Sequence, residues 1–339
     1  MIYGFWNNKG GTGKTSLCFQ SICFYAHDHP DERVLVLDVC PQANLSELLL
    51  GGMQNDGSAR LLARQGELPR ATIAGYFQER FPTPYKAPAT ITHGDFITTP
   101  SRFNKLIPEN VDLVCGDPLL ELQSNAMSTL ANTDLPVGSA WIGVIDWIRD
   151  FLAGIDDEYD AVFIDANPSF SIYTQIALSA VERLVLPVMA DDSSRRAIQN
   201  AFSLVYGIKL PSEIYTRYAF ATRLEAEGRA LPQVHAVVKN RLTQYMGPAT
   251  AYDAVLKSMR GDVNSLLKSQ PQRFTFDNVD EGIVNVRDFQ TTGVVAFARG
   301  CPFYEMSGGR LDVMGQRIQV NQPRIEECVV AVNGLVTKL

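Results

Sequence analysis

No apolar run in the 339-residue sequence approaches the ~18 residues that a membrane-spanning helix needs, and the chain opens on a strand-like run instead of a signal peptide. Both features lead us to expect a cytoplasmic protein. Positive charge is also in short supply, with 30 Lys and Arg against 37 Asp and Glu and a formal net charge of -7. No global positive field therefore draws the chain to nucleic acid or anionic lipid, and any such contact has to be local. The six cysteines (Cys18, Cys23, Cys40, Cys115, Cys301 and Cys328) contain no C-x-x-C pair, and the four histidines show no metal-ligand spacing beside them. That argues against a zinc site or a disulfide framework and leaves the thiols as small buried hydrophobes. Internal repeats and low-complexity tracts are missing as well.

What is present is the composition of a folded chain: 46 % of residues are apolar and 20 % charged, ample for a core at this length. Short apolar runs recur at 1–6, 33–38, 111–114, 161–165, 183–188 and 234–238. Nearly unbroken apolar strands of this kind suit a parallel sheet covered on both faces. Between them the spacing predicts helices over 16–26, 141–152 and, less cleanly, 196–208. The alternation predicts an α/β fold, a doubly wound, mostly parallel sheet flanked by helices, with residues 1–339 in one domain. Residues 51–108 differ in texture. Rich in Gly, Pro, Thr and Arg and weakly periodic, they read as an insertion after the second strand, made of short helices and loops.

The chemistry concentrates at Asn8-Lys9-Gly10-Gly11-Thr12-Gly13-Lys14-Thr15, which follows the first strand-like run and opens the first helix. A Gly-rich turn in that setting exposes consecutive backbone N–H groups, and the helix directs its positive end at phosphate. Lys14 is placed to reach the β- and γ-phosphates, Thr15 to ligate Mg²⁺ and Ser16 to add a phosphate contact. The first glycine of the usual G-x-x-x-x-G-K-[ST] loop is absent, with Asn8 in its place and a second lysine, Lys9, beside it. Asp38 and Asp165 each close an apolar strand, where an acid can hold Mg²⁺ through water at the edge of a ligand crevice. Together these residues predict an Mg-ATP site. With the loop beginning at residue 8, an N-terminal helix-turn-helix domain for operator-specific repression is not expected.

On these residues the chain resembles the ParA/MinD family of partition and positioning ATPases, ParA-type partition ATPases above all. Lys9-Gly10-Gly11-Thr12-Gly13-Lys14-Thr15 is similar to the family's deviant Walker A motif, with Lys9 as the extra lysine. Val36-Leu37-Asp38-Val39-Cys40-Pro41-Gln42-Ala43-Asn44-Leu45-Ser46 resembles its second motif, and Tyr159-Asp160-Ala161-Val162-Phe163-Ile164-Asp165-Ala166-Asn167-Pro168-Ser169 its Walker B and switch region. Weaker likeness lies at 111–122 and 286–302. The resemblance implies an ATPase that uses ATP and Mg²⁺ and forms a homodimer around ATP, with Lys9 reaching across to the partner's nucleotide. It implies a nucleotide-binding loop over Lys9, Gly10, Gly11, Thr12, Gly13, Lys14, Thr15 and Ser16. Mg²⁺ would be served by Thr15 and, through water, by Asp38 and Asp165. Asn240, in Val238-Lys239-Asn240-Arg241, falls where relatives read the adenine edge, with plain loop capping as the alternative.

The same resemblance marks two departures. The catalytic set would be Lys9, Asp38 and a second acid that helps activate the attacking water, and this chain has Cys40 at that position. A thiol of pKa ~8.5 is mostly protonated at neutral pH and a poor proton acceptor, so weak hydrolysis without a partner is expected. In the alternative, Cys40 only packs and Asp191 or Asp192 orients the water. The second departure is the length of chain between Asp38 and Asp165, which makes 51–108 a candidate recognition element for a protein activator or cargo adaptor.

The function expected is an ATP-dependent dimerising switch that binds DNA nonspecifically in the ATP state, with nucleoid association as a corollary. Arg195, Arg196, Lys239, Arg241, Lys257 and Arg260 are the local basic candidates for that contact. One alternative is a nucleotide-gated subunit of a larger machine. Another is a MinD-like membrane switch with a C-terminal amphipathic helix, for which Ile325, Val329, Val332, Val336 and Leu339 have the spacing. Lys338 is the only basic residue after Arg324, however, so that stripe is expected to pack on the sheet and a membrane partner is not expected. A metabolic P-loop enzyme would need a second polar constellation, and no Ser-His-Asp, Cys-His or paired-carboxylate motif supplies one.

Overall fold

A computed structural model describes residues 1–155, 158–189, 192–242 and 249–339. Seven strands form the central sheet: β1 Ile2–Phe5, β2 Val34–Val39, β3 Val111–Val114, β4 Ala161–Ala166, β5 Arg183–Met189, β6 Gln233–Leu242 and β7 Ile283–Arg287. Their order is β3-β2-β4-β1-β5-β6-β7, and every adjacent pair is parallel. A separate antiparallel ribbon pairs β8 Gly309–Val313 with β9 Gln316–Val320. The helices among the described residues are α1 Lys14–Asp28, α2 Asn44–Leu49, α3 Gly57–Gln65, α4 Ile73–Arg80, α5 Leu119–Ala131, α6 Ala140–Ile145, α7 Trp147–Ala153, α8 Ile172–Ala180, α9 Asp192–Tyr206, α10 Glu213–Arg217, α11 Phe220–Ala226, α12 Ala249–Ser269, α13 Val279–Gly282, α14 Gln290–Arg299 and α15 Gln322–Val336.

Side chains alternate across a pleated strand, so each strand feeds two cores. In β2, Leu35, Leu37 and Val39 join one core while Val34 and Val36 join the other. The first core is closed by side chains of α4 to α9, α11 and α12. The second is closed by α1, α2, α14 and α15. The sheet is thus covered on both faces, which is why its strands read as apolar runs. All six cysteines are free and buried within this packing.

Three features depart from expectation or refine it. The helix expected over 141–152 is two helices, because Asp146 leaves helical geometry (φ -80, ψ 2) and its carboxylate accepts the Arg229 Nη2 at 2.6 Å. The apolar period runs straight across that break. Residues 51–108 do contain short helices and turns, but they are woven into the cores: Ile73, Tyr76, Phe77 and Phe96 enter one and Leu61 and Ile107 the other. Thr98 and Leu113 also exchange two backbone hydrogen bonds, 2.8 and 2.7 Å, so the stretch covers the free edge of β3, where unpaired backbone groups would otherwise stand open. In α15, Ile325, Val332 and Val336 are buried, with Cys328 and Leu335, and the helix lies against α1 and β7. No described helix is long and apolar enough to cross a membrane.

Candidate functional site

The glycine-rich sequence forms the loop between β1 and α1. Gly13 caps α1 with φ 75, a left-handed backbone that glycine adopts without the penalty of a Cβ. No side chain caps the first turn of α1, which leaves its leading N–H groups for an anion. The loop is braced from two neighbouring strands. The Asn7 amide donates to the Pro187 carbonyl of β5 at 2.6 Å, and Asn7 Oδ1 accepts the Lys9 N–H at 3.0 Å. Asn240, on β6, donates its amide to the Thr12 carbonyl at 2.8 Å. Gly10 and Gly11 are exposed at the crest, Lys9 and Ser16 are half-buried, and Thr12 is buried.

Parallel register sets Asp38 of β2 directly opposite Asp165 of β4, at the carboxyl ends of both strands. The Lys14 ammonium donates to Asp165 Oδ1, and the Thr15 hydroxyl donates to Asp165 Oδ2 at 3.0 Å. Asp38 Oδ2 accepts the Ser46 N–H and hydroxyl at 2.9 and 2.8 Å. Asp38 Oδ1 is buried with no hydrogen-bond partner. Burial, and then the neighbouring Asp165 carboxylate, push the Asp38 carboxyl up to about 7 against the pull of the Ser46 bonds. Burial would lower the Lys14 ammonium, but Asp165 overrides it and holds that group above its ordinary range. A hydroxyl, two carboxylates and one orphaned acceptor make a hard oxygen set. Such a set suits Mg²⁺, which keeps several waters and takes one or two carboxylates beside phosphate oxygens.

Cys40 lies beside this pair and is buried, its thiol donating to Asn167 Oδ1 at 3.6 Å. Burial first, then Asp38 and Asp165, push the thiol up to about 12. Asn167 is itself fixed, since its amide donates to Ser169 Oγ and Tyr173 Oη at 2.7 and 2.8 Å. The other residues expected to orient water, Asp191 and the side chain of Asp192, lie outside the described residues.

Ser16 and Asn240 also line a cavity of about 610 Å³ that opens off the phosphate loop. Sequence reasoning missed most of its other walls: Met53, Phe289, Val294 and Met314. The faint likeness over 286–302 was the one signal for Phe289 and Val294; Met53 and Met314 carry none. The described basic candidates differ in setting. Lys239 is buried in the sheet layer and burial lowers its amine. Arg260 pairs with Asp280 at 2.5 Å, Arg196 and Lys257 are exposed, and the side chains of Arg195 and Arg241 lie outside what is described.

With this geometry in place, comparison with known proteins is informative. Residues 1–213 match the protein family described as an AAA domain, AAA_31. An uncharacterized protein of Pseudomonas putida KT2440 is 25 % identical over 264 residues, 75 % of this chain and 80 % of its own length. Apo McdA of Cyanothece has the same fold, with a TM-score of 0.60 and 14 % identity over 98 % of both chains. A McdA variant in complex with ATP gives 0.58 and 16 % over 98 % of this chain and 95 % of its own. The ParA of pNOB8 gives 0.51 and 15 % over 98 % of both.

Proposed function

Because the chain belongs to the AAA domain family matched by residues 1–213, and is a P-loop ATPase of the ParA/MinD type, we propose that it works as an ATP-dependent dimerising switch of the DNA-partition or cargo-positioning kind, binding DNA nonspecifically in the ATP state and hydrolysing ATP slowly until a partner acts. The observation that carries this reading is the convergence of Lys14, Thr15, Asp38 and Asp165 at the carboxyl ends of adjacent parallel strands, beside a braced glycine loop. Open α/β sheets bind ligands at that edge.

When nucleotide enters, Lys14 would leave Asp165 for the phosphates, and Thr15, with Asp165 and the orphaned, buried Oδ1 of Asp38 acting through water, would hold Mg²⁺. Bound Mg²⁺ would supply charge neutralisation to the phosphates. Cys40 keeps its proton at any physiological pH, because its thiol is pushed to about 12, so the attacking water has no acceptor at that position. The loop N–H groups and Ser16 hold phosphate, and Lys9 reaches toward the nucleotide of a second copy. Asn240 keeps the loop in place through Thr12 and lines the cavity that receives the base. Arg196 and Lys257 contribute to a DNA contact completed by the second copy.

Molar mass measured by light scattering in the apo, ADP, ATP and nonhydrolysable-analogue states, with and without DNA, tests the proposal. A dimer is expected only with ATP or the analogue, together with DNA binding that falls steeply with salt. A chain that stays monomeric throughout would sink it. A dimer indifferent to DNA would favour a nucleotide-gated subunit of a larger assembly, a reading that the protonated Cys40 also suits.

A further inference from the structure

The cavity beside the phosphate loop has an inner end made by Gly13 and Ser16 and a side made by Asn240. Phosphates held at the loop leave the rest of a nucleotide to enter it. Its outer end is assembled from three pieces of chain far apart in sequence. Met53 comes from the turn between α2 and α3, Val294 from α14, and Met314 from the tip of the β8–β9 ribbon. These side chains are 50, 59 and 65 % exposed, so three sizeable apolar groups stand around one opening with little to cover them.

The turn that carries Met53 is nonetheless tied to α14, and by one side-chain bond to the ribbon. The Gln54 N–H donates to the Ala298 carbonyl at 2.8 Å, the Asn55 amide to the Arg299 carbonyl at 3.0 Å, and the Gln54 amide to Asp312 Oδ1 at 3.5 Å. Gly52 and Gly300 let the two segments touch, since a Cβ on Gly52 would fall 2.5 Å from the Gly300 nitrogen. Segments packed on α14 with uncovered apolar tips are what an incomplete binding wall looks like, and a flat aromatic base is the part of a nucleotide able to complete it. Unbranched thioethers adapt to such a face and make favourable sulfur–aromatic contacts.

We propose that Met53, Val294 and Met314 close as an apolar clamp on the base of the bound nucleotide, so that the 51–56 turn and the β8–β9 ribbon belong to the nucleotide site. The inference rests on the reading of the phosphate loop given above. It also gives residues 51–108 a part in ligand binding that their place in the core does not by itself require.

The test compares ATP with inorganic triphosphate, which offers phosphate charge without a base, by titration calorimetry in Mg²⁺ on the wild type and on Met53→Ala/Met314→Ala. ATP affinity should fall by about tenfold, the sum expected of two sulfur–aromatic contacts, while triphosphate affinity holds. Unchanged ATP affinity, or an equal loss for both ligands, would overturn the clamp. A wild type that binds neither ligand would overturn the nucleotide reading itself, and the clamp with it. If the double variant fails to fold, Met314→Ala alone, at an exposed ribbon tip, carries the same comparison with a smaller expected loss.

Discussion

The proposed phosphate end and the proposed base end of the site are built in opposite ways. At the phosphate end Lys14, Asp38 and Asp165 are each no more than 7 % exposed and are bonded to one another or to Ser46 and Thr15. At the base end Met53, Val294 and Met314 are half exposed or more and touch mainly the cavity. The difference follows from the cost of leaving each kind of group unfinished. A buried charge without a partner is expensive, so the charged end has to be organised before ligand arrives. An apolar side chain can wait in water at modest cost and let the ligand complete its packing.

The largest effect should come from breaking the charged end. Lys14→Ala removes the phosphate-binding ammonium and leaves Asp165 buried with only the Thr15 hydroxyl. Nucleotide affinity should drop by more than about 100-fold, or ~2.7 kcal/mol, and urea unfolding of the apo protein should show a loss of about 3 kcal/mol. If the affinity loss is no greater than that of the methionine pair, the two ends do not differ in kind.

Cys40 supplies the next effect, because it stands protonated at the position where a second acid would accept a proton. A positioned general base contributes roughly 10²–10⁴-fold. Cys40→Asp should recover part of that and raise steady-state ATP turnover by at least about tenfold, the added charge being offset by Lys14 and Mg²⁺. Turnover of the wild type should not climb between pH 8 and pH 10, above the range in which Asp38 titrates. A thiol at its ordinary value of 9.0 would be ionising there, whereas this one, held at about 12, stays protonated. A flat response to Cys40→Asp would return Cys40 to a packing role.

The contrast between the two ends also explains what could be read from the chain. A phosphate cradle restricts residue types at fixed spacing, so Gly13-Lys14-Thr15 and the strand-end acids stood out. Six sheet strands showed as apolar runs because both faces are covered. β7 did not, since it ends the sheet and turns Asn285 outward between the buried Val284 and Val286. The break at Asp146 coincides with an ion pair to Arg229, 83 residues away, and the edge-covering role of 51–108 depends on Thr98 finding Leu113. No local pattern announces such contacts. The base end was the least legible part for the same reason. Met53 and Met314 meet beside Asn240 only through the docking of one turn on α14 and of a ribbon whose alternation of polar and half-buried residues is too weak to predict.

The smallest effect compares backbone strain at the two ends. Both hold residues other than glycine in the left-handed region, Ala43 (φ 50) in the turn after Cys40 at one end, and Asp56 (φ 58), Gln290 (φ 45) at the start of α14 and Met314 (φ 51) at the other, a conformation that costs ~1–2 kcal/mol. Glycine relieves that strain but loses ~0.5–1 kcal/mol to the greater freedom of the unfolded chain. Gln290 is exposed, and its N–H bond to Asp288 Oδ1 at 3.0 Å would survive the change. Gln290→Gly should therefore raise apo stability by about 0.5–1 kcal/mol. Ala43 is 1 % exposed, and its methyl contributes ~0.8 kcal/mol of burial that glycine gives up, so Ala43→Gly should yield almost nothing in the same thermal melts. Equal gains at both positions would mean that the Ala43 methyl packs no better than an exposed side chain, and the phosphate end would then be no tighter than the end that waits for its base.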